Sequence, residues 1–528
     1  MKRFISILLL SGLISSNSIA QSRWMQQYME GLDAPACDIS LSYDNGYLLL
    51  GSITPNFPLF SWLIKTDING AVLWQKIIGG GVHTTTNIRK VDQNLSGEIF
   101  LCGSVKSEDD SNPVVIKLNV CGEKIWCQEI STTSEHDFFR DIVTTLDEGC
   151  AVLIYGAFLP LTTFKTGIMK FSSKGDLLWQ KYYESSDTNI FGENLSNLIM
   201  TPDQGYLLTG YCYYIDPENP SYGWLHPYYI KADSFGNFEW ETVVHKETGD
   251  VGGDAHMTLI NPSQTCYYSC ISHYYHSDTL ATTRPALIKL DLQGNLTGVY
   301  DLVQANYDLG KIMTFDFFND SILTGSAFWG NDVEPYESRV ILFDTLGHVT
   351  DSVTVMYDYF LGFVKTTFDD KILIFKSDNT DGELDPTLIK LNMNLEQDTF
   401  YTWPFVYDSL CPYQIVSDTI VPDDCGVIVG IEEDGKNVGR EDGKKRGLEI
   451  WPNPASGIVD FRWSMVDFRG DLSLMIYDVF GREVAEIKVP ERQDQIQINV
   501  ESYPPGVYIA ILKNGCDLLG SGKFVVAR

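Results

Sequence analysis

The feature that most constrains the fold of this 528-residue chain is a unit that recurs every 48 to 61 residues between about residues 36 and 397. Each copy has an apolar run that ends at Lys65, Lys117, Lys170, Lys231, Lys289, Leu342 or Lys390. In the first six copies a glycine closes the next turn, at Gly70, Gly122, Gly175, Gly236, Gly294 and Gly347. Such periodicity indicates stacked copies of one supersecondary unit, because a single copy cannot bury its own apolar faces.

Each copy contains four short runs that predict strands. The runs are rich in β-branched and aromatic residues and are bounded by Gly, Asp and Asn, as residues 44–76 illustrate. The turn that ends in glycine predicts a hairpin between the third and fourth strands, since glycine adopts a left-handed conformation without steric penalty. Four strands in about 50 residues is the size of one propeller blade. We therefore predict an all-β chain with a seven-bladed β-propeller over residues 21–413, and counts of six and eight blades stay open.

The N-terminal segment has the pattern of the fourth strand of a repeat. Trp24 precedes Trp74 by 50 residues, which is one repeat, and residues 23–28 resemble residues 73–76. The last repeat has only a degenerate fourth strand at residues 398–403. We therefore predict that the N-terminal strand completes the last blade and closes the ring.

A tryptophan recurs in the fourth strand of the repeat, at Trp74, Trp126, Trp179 and Trp240. We predict that these residues pack between blades, because tryptophan buries a large apolar area. The repeat resembles those of secreted bacterial β-propellers, in which a D-G-Y-L-L-x-G strand precedes a strand with the pattern hydrophobic-Ile-Lys. This resemblance implies the fold and leaves the activity open.

The N-terminus and the charge indicate where the chain acts. Residues 1–20 have the features of a secretory signal peptide, with Lys2 and Arg3 before an apolar stretch and a small-x-Ala pattern that ends at Ala20. No later stretch reaches the roughly 20 apolar residues that a membrane-spanning helix needs. The formal charge is −32, from 38 basic and 70 acidic residues. Because such a surface repels phosphate backbones, we expect no nucleic-acid partner.

Eleven cysteines are scattered through the chain. The pairs that lie close in sequence are Cys121 with Cys127, Cys266 with Cys270, and Cys411 with Cys425. The first pair flanks a predicted hairpin turn, and the other two are close enough to bridge in an oxidising compartment. The odd count leaves at least one thiol, and the strand register that decides each pairing stays open.

The repeat pattern ends near residue 413. Residues 430–447 consist of glycine and charged residues with almost no apolar content, so we predict a flexible linker over residues 414–447. Residues 448–528 contain short apolar strands with turn signals about every ten residues. This last segment predicts a small Ig-like β-sandwich.

Four motifs follow one another in the last segment. Their residues include Pro452, Asn453, Pro454, Tyr477, Gly481, Arg482, Gly506, Tyr508 and Lys523. They resemble the Y-P-N-P-A, I-Y-D-x-x-G-R, x-G-V-Y and K-x-V-V motifs of type A sorting domains of the type IX secretion system, with Trp451 in place of the usual tyrosine. The resemblance implies the type IX machinery as a partner and a Gram-negative host of the Bacteroidetes type. It also implies a protein that crosses the periplasm and the outer membrane and is then secreted or held at the cell surface.

The sequence contains no Gly-rich phosphate loop, H-E-x-x-H, G-x-S-x-G or cysteine metal pair, so we predict no catalytic, cofactor-binding or metal residue. The acidic run at residues 378–385 carries ligands of the type that calcium prefers, but it lacks the spacing of an EF-hand loop. The pair His273 and His276 leaves zinc as a second alternative.

The fourth and fifth repeats are the most distinctive. They are longer than the others and contain five of the eight histidines and many tyrosines. Because extended loops on a rigid scaffold often carry binding sites, we predict a ligand patch of Tyr222, Trp224, His226, Tyr228, Tyr274 and His276.

The scaffold, the export route and the missing catalytic motifs favour a non-enzymatic binding or adhesion protein, with an extracellular protein or glycan as its ligand. One alternative is an extracellular hydrolase of glycans or peptides, with carboxylates at the mouth of the propeller channel. Another alternative is a structural component of the cell surface.

Overall fold

The structure is a computed structural model that describes residues 24–29, 32–53, 59–81, 83, 85–106, 111–130, 138–156, 165–215, 223–244, 252–277, 280–302, 309–330, 337–356, 362–380, 383–404, 411, 417–428, 449–451, 455, 457–462, 472–478, 483–489, 495–514 and 517–526. Every regular element among them is a β-strand. None of the described residues belongs to a helix that is long and apolar enough to cross a membrane.

Seven antiparallel sheets account for most of the described residues, and the first three follow the short strand β1 (Met25–Gln27). The first sheet contains β2 (Ala36–Leu41), β3 (Tyr47–Ile53), β4 (Phe60–Thr66) and β5 (Val72–Ile78). The second contains β6 (Thr85–Gln93), β7 (Ile99–Lys106), β8 (Ser111–Leu118) and β9 (Lys124–Ile130). The third contains β10 (Phe138–Thr144), β11 (Cys150–Gly156), β12 (Lys165–Phe171) and β13 (Leu177–Tyr183).

The remaining four sheets repeat the same order. The fourth contains β14 (Ile190–Met200), β15 (Tyr206–Ile215), β16 (Gly223–Ala232) and β17 (Phe238–Val243). The fifth contains β18 (Gly253–Ile260), β19 (Cys266–Ser277), β20 (Leu280–Asp291) and β21 (Leu296–Asp301). The sixth contains β22 (Leu309–Phe317), β23 (Ile322–Gly330), β24 (Glu337–Asp344) and β25 (Val349–Met356). The seventh contains β26 (Phe363–Thr366), β27 (Ile372–Thr380) and β28 (Glu383–Leu391), and these consecutive four-stranded units are typical of propeller blades.

The N-terminal strand completes the seventh sheet, as predicted. β1 pairs antiparallel with β28, with Met25 opposite Ile389. The Trp24 side chain is buried, and its indole Nε1 donates a hydrogen bond to the Phe400 carbonyl at 3.2 Å. The seventh sheet therefore takes one strand from the start of the chain and three from the end of the repeats.

The first and seventh sheets pack against each other. Leu49 and Ile64 of the first sheet share a buried cluster with Leu373 of the seventh. The Trp62 ring meets the Phe375 ring edge to face, with 6.1 Å between the ring centroids. The two ends of the repeat array therefore bury apolar surface together.

The repeated tryptophans pack against the next sheet at three of their four positions. The rings of Trp74, Trp179 and Trp240 lie against the turn glycines Gly122, Gly236 and Gly294 of the following sheet. At Gly236 an added Cβ would lie 2.5 Å from the Trp179 ring, and the backbone φ is +76°, so both space and conformation require glycine there. The Trp126 ring contacts the Phe100 ring of its own sheet, with 6.2 Å between the ring centroids.

In five of the repeats, the next-to-last residue of the third strand is a buried lysine. This lysine pairs with a carboxylate from the turn between the first two strands of the same repeat. The pairs are Lys65 with Asp44, Lys117 with Glu98, Lys170 with Asp147, Lys231 with Asp203, and Lys390 with Asp369, at N···O distances of 2.6 to 3.0 Å. The Lys65 ammonium also donates to the Thr66 carbonyl at 3.0 Å. A Cβ at Gly46 would lie 2.7 Å from this ammonium nitrogen, which explains the glycine of the repeat. The Asp-x-Gly and Lys elements of the repeat are therefore two halves of one ion-pair site.

We expect Asp44→Asn to lower the free energy of unfolding by about 3 kcal/mol, because the variant leaves the buried Lys65 ammonium without its carboxylate. The matched control is Asp203→Asn, which should cost only about 1 kcal/mol. Lys231 keeps a second carboxylate, that of Glu239, at 2.8 Å. Urea unfolding of both variants measures the difference, and equal losses would contradict a stabilising role for the ion pair.

The first part of the predicted linker is not a linker. β29 (Thr419–Ile420) pairs in parallel with β5, and β30 (Gly426–Ile428) pairs in parallel with β9. Residues 417–428 thus run along the outer strands of the first and second sheets, and we call them, together with Cys411, the strap. The Lys76 ammonium pairs with the Asp418 carboxylate at 2.5 Å, which adds an ionic contact to the strand pairing.

Both disulfides join the strap to the second sheet. Their pairs are Cys121 with Cys411 and Cys127 with Cys425. The pairs that lie close in sequence, Cys411 with Cys425 and Cys266 with Cys270, are therefore not bridged to each other. Cys266 and Cys270 lie four residues apart on the extended strand β19, and roughly 13 Å of strand separates them, which is beyond the reach of a disulfide.

The described residues between 449 and 526 form two further sheets, which we call the C-terminal unit. One sheet contains β31 (Glu449–Trp451), β32 (Ile458–Arg462) and β35 (Gln495–Asn499), and the other contains β33 (Leu472–Asp478), β34 (Glu483–Val489), β36 (Gly506–Asn514) and β37 (Asp517–Val526). Their inner faces share one apolar core, in which the Phe461 ring of one sheet meets the Phe524 ring of the other with 5.5 Å between the ring centroids.

Candidate functional site

Only some residues of the predicted ligand patch are exposed at the protein surface. Trp224 lies on β16 opposite Tyr214, and its side chain is 40% exposed. Tyr222 and the side chain of His276 lie outside the described residues. Trp224 is therefore available to a ligand.

The structure corrects the patch at His226 and Tyr228, because both side chains are buried. The Nδ1 atom of His226 lies 2.9 Å from the Val244 carbonyl oxygen. The Tyr228 hydroxyl donates to the Glu241 carboxylate at 2.5 Å. Both residues belong to the ten-residue strand β16, which extends into the region predicted as a loop, and every residue of this strand from His226 onward is buried.

Each of five first strands carries an extra residue that forms a β-bulge. The bulged residues are Cys37 in β2, Arg89 in β6, Ser196 in β14, His256 in β18 and Met313 in β22. In the third sheet Arg140 has the equivalent sequence position, because residues 139–142 align with residues 88–91. Bulges re-aim side chains and are common next to functional sites.

The first strands of neighbouring sheets are joined side by side. Side chains on one first strand accept hydrogen bonds from backbone N–H groups of the next: Asp38 from Val91 at 3.0 Å, Asp141 from Leu198 at 2.8 Å, Asn197 from Thr258 at 2.8 Å, and Asp316 from Thr366 at 2.8 Å. The first strands of these neighbouring sheets therefore lie next to one another. We give the name bulge arc to a set of side chains on and beside these strands. Its members are Arg89, Phe138, Arg140, Asn194, Tyr211, Asp254, His256 and Tyr274.

The basic end of the bulge arc is built on one phenylalanine ring. The Arg89 guanidinium carbon lies 4.4 Å from the centroid of the Phe138 ring, and that of Arg140 lies 5.2 Å from the same centroid. The Arg140 guanidinium also lies 4.1 Å from the Tyr155 ring centroid. Cation–π attraction holds both arginines here. Within the described part of the chain, neither guanidinium contacts a carboxylate.

The middle of the bulge arc is a hydrogen-bond chain. Arg140 Nη1 donates to the Asn194 side-chain oxygen and, at 3.3 Å, to the Leu195 carbonyl. The Asn194 amide donates in turn to the Tyr211 hydroxyl at 2.8 Å. Burial raises the pKa of Tyr211, so its hydroxyl stays protonated at neutral pH. Arg140 is thereby fixed in position while its Nε keeps no acceptor among the described residues.

The far end of the bulge arc contains Asp254, His256 and Tyr274. The Tyr274 hydroxyl donates to the Asp254 carboxylate, and burial together with this charge raises the pKa of Tyr274. The predicted patch residue Tyr274 therefore belongs to this cluster. Burial lowers the pKa of His256, which makes its ring neutral at pH 7.

The same end does not have the geometry of a Ser-His-Asp triad. His256 Nε2 lies 2.7 Å from the Ser272 hydroxyl and 3.7 Å from the Asp254 carboxylate. In a triad the carboxylate orients the ring through the nitrogen opposite the one that meets the serine. Here one nitrogen faces both groups, and Ser272 is fully buried. The arrangement can hold a ligand but cannot activate Ser272.

A depression of about 300 Å³ lies at the carboxyl ends of β14, β18 and β22. Its lining residues are Ile199, Met200, Leu259, Ile260, Pro262, Asp316 and Phe317. Burial raises the pKa of Asp316, although its carboxylate accepts the backbone N–H groups of Phe317 and Thr366. Asp316 is the one carboxyl group among these lining residues, which differs from the two carboxylates that glycoside hydrolysis uses.

The residues of the calcium and zinc alternatives have other contacts. The Asp378 carboxylate pairs with the Lys376 ammonium, and residues 381–382 lie outside the described residues. His273 Nδ1 lies 2.8 Å from an Asp301 carboxylate oxygen. Across the described ranges, no group of three or more His, Cys, Asp or Glu side chains is arranged to hold a metal ion.

The motif residues of the C-terminal unit lie on three strands where they are described. Tyr477 on β33 pairs with Ile509 on β36, and Lys523 on β37 pairs with the same residue from the other side. Gly506 begins β36, and the buried Tyr508 donates its hydroxyl to the Pro504 carbonyl at 2.8 Å. Pro452, Asn453, Pro454, Gly481 and Arg482 lie outside the described residues.

Sequence reasoning missed the basic end of the bulge arc. Arg89 and Arg140 occur at the same position of the Ile-Arg-Lys-Val and Phe-Arg-Asp-Ile first strands, and this equivalence was the available signal. The emphasis on tyrosine and histidine led instead to the fourth and fifth repeats. Of the predicted patch residues, Tyr274 belongs to the cluster that also contains Asp254 and His256, whereas Trp224 lies on β16.

Comparison with known proteins identifies the C-terminal unit. Residues 449–527 match the family described as "Secretion system C-terminal sorting domain". The chain therefore carries a type IX sorting domain and is exported to the cell surface or secreted. No curated protein matches the sequence.

Several solved structures are similar to the chain at low identity. They include a protein of unknown function from Dyadobacter fermentans DSM 18053 (12% identity, TM-score 0.41, 57% of this chain and 93% of that chain), a variant of the Synechocystis apocarotenoid oxygenase (13%, 0.37, 61% and 71%) and a Penicillium chrysogenum alpha-L-arabinanase complexed with arabinobiose (7%, 0.36, 57% and 92%). At these identities and TM-scores none of them assigns an activity to this chain.

Proposed function

We propose that the chain is an exported ligand-binding protein that holds its ligand along the bulge arc. Its parts are a signal peptide over residues 1–20, a seven-bladed β-propeller over residues 21–413 extended by the strap, a linker that ends at residue 447, and an Ig-like sandwich over residues 448–528. The sandwich engages the type IX machinery and delivers the propeller outside the cell. A Gram-negative host of the Bacteroidetes type accords with this export route.

The seven four-stranded sheets, joined by the pairing of β1 with β28, support the propeller. In a propeller the first strand of each blade lies next to the central axis, and ligands bind at the ends of such strands. The hydrogen bonds between successive first strands accord with that position. The bulge arc would then lie around the central opening, where several blades contribute to one site.

The observation that carries the binding function is the bulge arc itself. It combines two arginines without carboxylate partners in the described chain, tyrosine hydroxyls and a neutral histidine on neighbouring rigid strands. Polar groups that are fixed in advance reduce the entropy cost of binding. The arrangement at His256 and the single carboxyl of the depression favour binding over the alternative of an extracellular hydrolase.

The test exposes the mature full chain to a panel of surface-immobilised glycans and extracellular proteins, and it measures retention and release of cleavage products together. We expect retention without products, and loss of retention in the variant Arg89→Gln/Tyr274→Phe. Trp224→Ala is the matched control outside the bulge arc and should retain the ligand. Product release by the parent chain would favour the hydrolase, and equal retention by all variants would rule out the bulge arc. A chain that retains no panel member would instead favour a structural role at the cell surface.

A further inference from the structure

We infer that the basic end of the bulge arc binds the carboxylate of an acidic saccharide. This inference rests on the proposed ligand-binding function and names the class of its ligand. It depends on three features of the arc. Two arginines lie on the Phe138 ring, the Arg140 Nε has no acceptor among the described residues, and the Asp254 carboxylate lies at the other end of the arc.

The two arginines hold like charges close together. Arg89 and Arg140 both lie on the Phe138 ring, at 4.4 and 5.2 Å from its centroid. Burial is the main cause that lowers the pKa of Arg140, and the nearby positive charge of Arg89 lowers it a little further. In a chain with a formal charge of −32, a pair of arginines with no carboxylate partner among the described residues is unusual. An anion between them would remove the repulsion.

The donors that remain free suit a carboxylate. Arg140 Nη1 is used by Asn194 and the Leu195 carbonyl, whereas the buried Nε has no hydrogen-bond partner in the described structure. A buried donor without a partner costs free energy unless a ligand accepts from it. The Arg89 side chain is exposed. Guanidinium groups match the two oxygens of a carboxylate in geometry and charge.

The rest of the bulge arc favours a saccharide over a polyanion. The buried Asp254 Oδ1 has no hydrogen-bond partner in the described structure, and it can accept a hydrogen bond from a sugar hydroxyl. A ligand with a charge on every unit would be repelled by the Asp254 carboxylate. The Tyr211 hydroxyl accepts a hydrogen bond from the Asn194 amide and can also donate one, as a sugar hydroxyl can. A ligand with one carboxylate and several hydroxyl groups therefore fits the arc.

The experiment compares oligosaccharides that contain a single uronate residue with their carboxyl-reduced counterparts, which keep the sugar stereochemistry and lose the charge. Titration calorimetry with the mature full chain should show binding of at least one acidic member, and at least tenfold weaker binding of its reduced form. Arg89→Gln should weaken binding of the acidic form about tenfold. It should leave the affinity for the reduced form unchanged.

The control variant is Lys174→Gln, which removes one exposed positive charge from the turn between β12 and β13 and should change affinity less than twofold. Thermal unfolding checks that both variants are folded. If the reduced oligosaccharides bind as well as the acidic ones and Tyr274→Phe weakens both, the ligand is neutral: the inference then fails while the proposed function stands. Equal binding of sulfated dextran, lost equally in Arg89→Gln and Lys174→Gln, would indicate general anion attraction and overturn the inference. Failure of every acidic member to bind would also overturn it.

Discussion

Loss of both strap disulfides is expected to lower the free energy of unfolding of the seven repeat sheets by about 8 kcal/mol. Loss of either disulfide alone should lower it by only about 3 kcal/mol. Cys121–Cys411 and Cys127–Cys425 join residues that are 290 and 298 positions apart. Either bridge alone closes that long loop, and the second bridge then closes only a loop of roughly 20 residues. The double loss should therefore exceed the sum of the single losses.

The measurement is guanidinium unfolding of the oxidised mature chain with Cys→Ser replacements at the first bridge, at the second bridge and at both. Reduction of the parent chain should reproduce the double variant. Cys37→Ser is the control, because Cys37 takes part in no disulfide and is only half-buried. Strictly additive losses at the two bridges would contradict the loop-closure argument.

The local elements of the fold could be predicted because each is encoded within a few residues. The turn glycines Gly70 and Gly236 have φ values of +78° and +76°, as the predicted left-handed position requires. In the seventh repeat, which lacks this glycine, Leu395 takes the position with φ of +57°. The turn geometry is therefore fixed by its hydrogen bonds, and glycine only lowers its cost.

The strap could not be predicted, because its information is not local. β29 and β30 contain two and three residues and have no periodic pattern of their own. Their positions depend on the outer strands β5 and β9, which are more than 290 residues away in sequence. The disulfide pairing could not be predicted for the same reason, because the bonded cysteines are 290 and 298 residues apart in sequence. Proximity in sequence does not provide the geometry that a disulfide needs.

The candidate site was misjudged for a related reason. His226 and Tyr228 were assigned to a loop, but β16 continues through both and turns them inward. The bulge arc takes single residues from several sheets, such as Arg89, Asn194 and His256. Such a set becomes visible only when the first strands are aligned by their shared bulge, because its members are about one repeat apart in the sequence.

The pairing of β1 with β28 joins the two ends of the repeat array. Its removal should therefore lower the free energy of unfolding of all seven repeat sheets. Trp24 is 2% exposed, and the Lys390 ammonium lies 4.6 Å from its ring. The buried Tyr28 donates its hydroxyl to the Gly70 carbonyl at 2.8 Å, which ties β1 to the first sheet as well. Loss of one buried tryptophan costs about 4 kcal/mol. We therefore expect Trp24→Ala to lower the free energy of unfolding by that amount.

Deletion of residues 24–28 removes the strand pairing and both aromatic side chains, so the expected loss rises to about 6 kcal/mol. The control is Met25→Ala, because Met25 lies on the same strand with its side chain 43% exposed and should change stability by less than about 0.5 kcal/mol. Urea unfolding followed by tryptophan fluorescence measures all three variants. A synthetic peptide of residues 21–31, added in excess to the deletion variant, should restore part of the lost stability, because the vacated edge of β28 can pair with it again. If Trp24→Ala behaved like Met25→Ala and the peptide had no effect, β1 would not hold the first and seventh sheets together.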